Sequence, residues 1–279
     1  MRSWLNLIFV AIAAGGGYMA AVNNLKSEKP ADLTDFLDGA AYVELTHVLE
    51  EGMPPGPGPE APTIQILRSH EPGIGILPTG GSIHRYSFPG QWGTHIDAPI
   101  HFVNNTRTIE EIRHDEMILP LVVIDIHEKV LENNDYQVTM EDIKAWEAKY
   151  GVVPEKTFVA LRTDWSKRWP NLDKMRNRDE DGVSHSPGWS REVIDYLIKT
   201  RNITAIGHET LDTDPGLQAG SGNWPLQDYY MGLNHYQIEN MRSLDQVPEF
   251  GAYIVASWSI PKNGDGFPAR VYAIIPKEK

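Results

Sequence analysis

One segment restricts what this chain can fold into more than any other: Gly90-Gln91-Trp92-Gly93-Thr94-His95-Ile96-Asp97-Ala98-Pro99-Ile100-His101-Phe102. Pro99 forbids a long helix through it. In an extended backbone, successive side chains point to opposite faces. Gln91, His95, Asp97 and His101 then share one face, and Trp92, Ile96, Ala98, Ile100 and Phe102 share the other. The apolar face needs a core to cover it, whereas burying the four polar groups without partners would cost several kcal/mol each. A lone His-x-Asp is more often a hydrogen-bonded pair at a strand end. Four polar side chains on one face point instead to a divalent cation, because donors spaced i and i+2 on a rigid strand reach one ion without ordering a loop. Gly93 beside them permits a close backbone approach or an unusual dihedral.

The rest of the chain supplies a framework for such a strand. Residues 31–279 show no composition shift and read as a single domain. Apolar runs predict strands at 41–45, 63–67, 82–88, 121–126, 157–161, 203–206, 252–257 and 269–275. Helical spacing of Met140, Ile143 and Trp146, and of Ile194, Leu197 and Ile198, predicts helices over 139–150 and 190–200. Thr139 and Ser190 stand as their N-caps, with Glu141 and Glu192 in the first turns. Strands outnumber helices, so an α/β chain with a mixed sheet or barrel and flanking helices is expected rather than a regular βαβ repeat. Residues 54–62, rich in proline, read as a long irregular loop of the kind that often carries function.

Residues 1–22 differ from everything that follows. Arg2 is their sole charge, the run from Trp4 to Ala14 is largely apolar, and Gly15, Gly16 and Gly17 come next. That order describes a secretory signal peptide. The apolar run falls short of the roughly 20 residues a membrane span needs, although extending it to Val22 leaves an uncleaved anchor open. Export to the periplasm or beyond is the expectation, without extensive membrane contact.

Charge and cysteine content narrow the chemistry. With 25 Lys+Arg against 38 Asp+Glu, the net charge is −13, which disfavours nucleic-acid partners and leaves a small molecule as the expected one. Cys is absent, so disulfides, zinc ribbons, iron–sulfur clusters and cysteine nucleophiles are excluded. A metal site must be built from His, carboxylate and amide groups, and the 10 His and 38 acids suffice. No GxSxG elbow suggests a serine nucleophile, and Gly220-Ser221-Gly222 reads as a loop.

The run from Gly93 to Phe102 resembles the signature of the cyclase family of metal-dependent hydrolases, which includes kynurenine formamidases and isatin hydrolases. Glu44-Leu45-Thr46-His47, Arg162-Thr163-Asp164-Trp165, Ile206-Gly207-His208-Glu209-Thr210 and Tyr236-Gln237-Ile238-Glu239-Asn240 agree with it. The resemblance spans about residues 41 to 275. It implies a swivelling β/β/α fold, a Zn²⁺ or Mn²⁺ site, hydrolysis of an amide or lactam C–N bond, and chains that commonly pair. By the same resemblance, His95 and Asp97 match metal ligands, His101 matches the acid/base, and Glu239 matches a further ligand. Gln91 and Gln227 stand where the family pattern has histidines. Both departures substitute an amide oxygen for imidazole and argue against a dinuclear zinc centre. A site of Gln91, His95, Asp97, Gln227 and Glu239 suits one Mn²⁺ better than tetrahedral Zn²⁺, which is the second choice.

The expected mechanism is attack by metal-activated water, with His101 taking a proton and returning it to the leaving nitrogen. Trp92 and Trp165 are candidates for an aromatic wall around a planar substrate. His208 and Glu209, which follow an apolar strand, are candidates for substrate contact or for a hydrogen-bonded turn with Asp212 and Asp214. Arg176, Arg178, Asp179, Glu180 and Asp181 read as a solvated loop, and His185 as a lid or turn residue. His47, His70, His84, His114, His127 and His235 read as surface or capping groups. Two other functions fit the same residues: a metal-dependent cyclase or dehydratase, and a non-catalytic periplasmic binding protein for a small acid.

Overall fold

The computed structural model describes residues 33–54, 61–69 and 81–277. The expected signal segment, His70 and residues 55–60 of the proline-rich loop lie outside them. Ala41–Ile275 is one compact unit, and the short helix Leu33–Leu37 belongs to a separate one. Among the described residues no helix is long and apolar enough to cross a membrane.

The strands are β1 (Ala41–Glu44), β2 (Thr63–Arg68), β3 (Ile83–Ser87), β4 (His95–Asp97), β5 (Ile118–Asp125), β6 (Phe158–Arg162), β7 (Ala205–His208), β8 (Gln237–Glu239), β9 (Ala252–Trp258) and β10 (Gly266–Ile275). In the large sheet the order runs β1-β10-β4-β8-β7-β6-β5-β9, and β9 pairs again with β10. That last pairing closes a mixed barrel. The length of β10 makes closure feasible: Gly266–Pro268 pairs with β4, while the remainder pairs with β1 and β9. A separate antiparallel pair joins β2 to β3.

The pairs β5–β6, β6–β7 and β7–β8 are parallel, and parallel neighbours need crossovers. Helices Met140–Tyr150, Arg191–Lys199 and Pro225–Gly232 lie in those connections. Strand alternation then sorts the core into two layers. Ile96, Leu121, Val123, Phe158, Ala160, Ile238 and Val271 belong to the cluster that fills the barrel. Val122, Ile124, Val159, Leu161 and Ile206 pack outward against Ile143, Trp146, Val193, Ile194 and Leu197 of the helices. The barrel with flanking helices is the architecture expected from the sequence, and both predicted helices form with their expected caps: the Thr139 and Ser190 hydroxyls accept from the backbone N–H of Asp142 and Val193.

Two expectations need correction. The run 90–102 forms a paired strand only over His95–Asp97, because Pro99, with no N–H to contribute to a ladder, opens a 3₁₀ turn over Pro99–His101. The seventh strand begins at Ala205 rather than residue 203, because the Ile203 N–H is used by the Leu197 carbonyl at the end of the preceding helix.

Candidate metal centre

Register places the site. His95 on β4 stands opposite Glu239 on β8, and Asp97 opposite Gln237. On the other side of β8, Ile206 and Gly207 pair with Gln237 and Ile238, so the end of β7 brings His208 alongside Glu239. Ile96 and Ile238 belong to the barrel interior while Ile206 faces the helices. The polar residues alternating with Ile96 and Ile238 therefore point out of the barrel, toward helix Pro225–Gly232. Gly207 is confined to glycine by packing: a Cβ there would meet Met241 Sδ at 2.5 Å and Phe158 Cζ at 2.6 Å.

Three ligand atoms converge. His95 Nε2 lies 3.5 Å from Asp97 Oδ1 and 3.4 Å from Glu239 Oε2, and suitable atoms of the three residues all lie within 4.8 Å of one another. Ligands each about 2.1 Å from one ion lie roughly 3.0–3.4 Å apart at ordinary coordination angles. Among the described residues, His95 Nε2, Asp97 Oδ1 and the nearby Gln227 Oε1 are buried without a hydrogen-bond partner. Orphaned acceptors that close together are costly unless a cation satisfies them. The residues present therefore fit a divalent ion.

The surroundings turn each donor toward that point. Gly93 adopts φ +67°, and its carbonyl accepts from His95 Nδ1 at 2.8 Å, which leaves Nε2 as the nitrogen that a cation can take in exchange for a proton. A side chain at Gly93 would strike Leu49 and Met53. Gln237 donates to Asp97 Oδ2 at 3.2 Å and to Glu239 Oε1 at 2.6 Å, while Gln227 donates to Asp97 Oδ2 at 3.2 Å. The carboxylate oxygens that face away from His95 are thus held by amides. The Asp214 carboxylate accepts the backbone N–H of Leu226 and Gln227 at 2.9 and 2.8 Å, capping the helix that carries Gln227.

His208 has the opposite tautomer. The Trp189 indole Nε1 donates to His208 Nδ1 at 3.3 Å, and since an indole only donates, the proton sits on His208 Nε2. That atom faces Glu239 Oε1 at 3.5 Å. His208 therefore orients the Glu239 carboxylate rather than offering a lone pair.

Burial alone would lower the His95 pKa, but Asp97, Glu239 and the Gly93 carbonyl outweigh it and raise it to about 9. Glu239 is drawn down to about 2 despite its burial, by the imidazoles of His208 and His95 beside its carboxylate. Burial, with the like charge of Glu239, pushes Asp97 up. His101 reaches the site through the 3₁₀ turn: its Nε2 lies 3.9 Å from Asp97 Oδ1, and its Nδ1 lies 3.7 Å from Asp265 Oδ2 and 3.3 Å from Gln91 Nε2. Its pKa is raised, since Asp97 and Asp265 outweigh the lowering by burial.

A cavity of about 620 Å³ opens on this centre, lined among others by Gln91, His95, His101, Gln227 and Glu239. Its aromatic lining is Phe102, Trp169 and Trp224, with Trp224 edge-on to Phe102 and Trp169 stacked on His47 at 4.4 Å. The structure does not bring every predicted residue here. Gln91 turns its amide to His101 rather than to the converging ligand atoms. Trp92 is buried against Phe88, and Trp165 is buried with its indole N–H on the Met175 carbonyl; neither lines the cavity. Glu209 is buried in a turn, accepting from the backbone of Thr163 and Asp164 and from Ser166 Oγ. Ser221 only closes a turn onto Gln218.

Other residues went unrecognised in the sequence. His47 is buried rather than superficial, and burial with the nearby Arg242 lowers its pKa to about 4. Asp212 lines the cavity, receives the Trp224 indole N–H at 2.8 Å, and is pushed up to about 7 by burial and by Glu239. Gln237 lies within the stretch Tyr236-Gln237-Ile238-Glu239-Asn240 that agrees with the family signature, and its place two residues before Glu239 puts it on the same face of the strand.

Comparison with known proteins agrees with the fold and the family expected from the sequence. The family model Cyclase matches residues 43–215. Isatin hydrolase of Roseibium aggregatum is 34% identical over 194 residues, covering 66% of this chain and 72% of its own. Among solved structures, isatin hydrolase A from Labrenzia aggregata, bound to benzyl benzoate, superposes with a TM-score of 0.78 at 31% identity, covering 92% of this chain and 100% of its own. Isatin hydrolase A from Ralstonia solanacearum gives 0.79 at 30% identity, covering 89% and 99%.

Proposed function

The chain belongs to the Cyclase family and is a metal-dependent hydrolase of an amide or lactam C–N bond, and from that premise we propose that it opens a small aromatic lactam of the isatin kind. The observation that carries this is the set of three converging ligand atoms on His95, Asp97 and Glu239, at the floor of a cavity with aromatic walls. A divalent cation bound there supplies polarisation of the substrate carbonyl and acidification of water.

The protein's own groups supply the rest. His101 borders the ligand set and opens onto the cavity, a position from which it can pass a proton to the departing nitrogen. Asp265 and Gln91 hold its far side. Phe102, Trp169 and Trp224 offer flat faces to a planar ring and exclude water from its edges. Within this reading Mn²⁺ is the ion, because one imidazole, two carboxylates and neighbouring amide oxygens form a hard donor set. Export through residues 1–22 and pairing of chains complete the proposal.

The test is hydrolysis by the metal-loaded protein of isatin, N-formylkynurenine and a lactone of similar size. Ring opening of isatin at the highest kcat/KM is the expected result. Bound metal with no hydrolysis of any of the three would refute the proposed substrate class.

A further inference from the structure

Two arginines distinguish the cavity, and what they imply about the substrate rests on the hydrolase reading above. Most described arginines are engaged: Arg107, Arg113, Arg162, Arg201 and Arg270 pair with carboxylates, and Arg168 lies over the Trp165 ring. Arg176 and Arg178 differ. Both line the cavity and are exposed at its solvent side, and neither guanidinium has a carboxylate, carbonyl or ring partner among the described residues.

Their backbone is nevertheless fixed. Arg176 ends helix Leu172–Arg176, which is capped by the Asn171 side chain. The Arg176 carbonyl accepts from the His185 N–H at 3.2 Å, the His185 carbonyl accepts from Asn177 Nδ2 at 3.1 Å, and Arg178 bridges to Ser184. The His185 ring in turn lies 2.7 Å from Asp135 Oδ2 and 3.2 Å from Asp179 Oδ2. Asp179, the acid next to Arg178, is thereby committed elsewhere, to His185 and to the N–H groups of Asp181 and Val183. The two guanidiniums are left uncompensated on an anchored segment.

In a chain of net charge −13, with Asp212 and Glu239 in the same cavity, an anionic ligand would be repelled unless a local cation received it. Guanidinium is the group that binds a carboxylate through paired N–H donors. The cavity, about 620 Å³, lies in the range that holds drug-sized ligands, so a bicyclic lactam leaves room for a substituent. We propose that the substrate carries a carboxylate on the part of the molecule remote from the scissile amide, and that Arg176 and Arg178 bind it and set specificity.

The experiment compares isatin with isatin-5-carboxylate on the metal-loaded full chain. Wild-type protein is expected to favour the carboxylate in kcat/KM. The Arg176→Gln/Arg178→Gln variant should lower the ratio of the two kcat/KM values about 10- to 100-fold, since each charge-assisted contact corresponds to roughly a factor of ten. The double Lys variant should keep part of the preference, and added salt should weaken it. A wild-type ratio at or below one overturns the proposal, as does an equal loss on both substrates in the Gln variant. If neither compound is hydrolysed, the lactam reading has failed, and the calorimetric Kd ratio of the two compounds, read on wild type and variant, decides the arginine proposal alone. Absence of binding by either compound overturns both.

Discussion

His101 works through what surrounds it. Asp97 on one side and Asp265 on the other favour its protonated form, while the three atoms that converge as ligands belong to other residues. His101→Ala should therefore reduce kcat by about 10²–10⁴ with bound metal unchanged, and a parallel fall in metal content would make His101 a ligand instead. Much of this centre was legible. His95, Asp97 and His101 sit in one short motif, and Glu239 and Gln227 were reached through the family pattern. The aromatic walls were not legible, because eight Trp offer no local cue to which faces the cavity. Trp92 and Trp165 are consumed by the core, whereas Trp169 comes from a turn and Trp224 from the N-cap of helix Pro225–Gly232. The role of His208 depends on Trp189, a neighbour in space that no spacing rule would pair with it.

At the scale of elements, the site depends on strands too short to announce themselves. β4 and β8 have three residues each, and most of those are polar, so apolar alternation could not mark β8 at all. Their pairing is nevertheless tightly specified, since a shift of one residue would send His95 and Glu239 into the barrel. β7 supports the same row only because Gly207 lets Phe158 and Met241 close on it. Gly207→Ala should destabilise the protein by about 1–3 kcal/mol, as overpacked cores do, measured by urea unfolding of wild type and variant. An unchanged midpoint would mean that β7 can shift without cost. The longer elements were legible for the complementary reason. Met140–Tyr150 and Arg191–Lys199 carry both an apolar stripe and a capping residue, two signals that agree.

For the whole molecule, folding and metal binding draw on the same buried groups. In the metal-free protein the raised His95 pKa of about 9 contributes stability that is complete below about 6.5 and is lost as pH rises through about 9. A cation needs the lone pair that this proton occupies, so its affinity should rise over that same interval. The most direct measurement is a Mn²⁺ titration of stripped protein by equilibrium dialysis between pH 6 and 9, with isatin turnover recorded on the same samples. The prediction is turnover proportional to occupancy, saturation at about one ion per chain, tighter binding toward pH 9, and loss of both ion and turnover in Asp97→Ala. Turnover by the stripped protein, or a stoichiometric ion retained in Asp97→Ala, would contradict it.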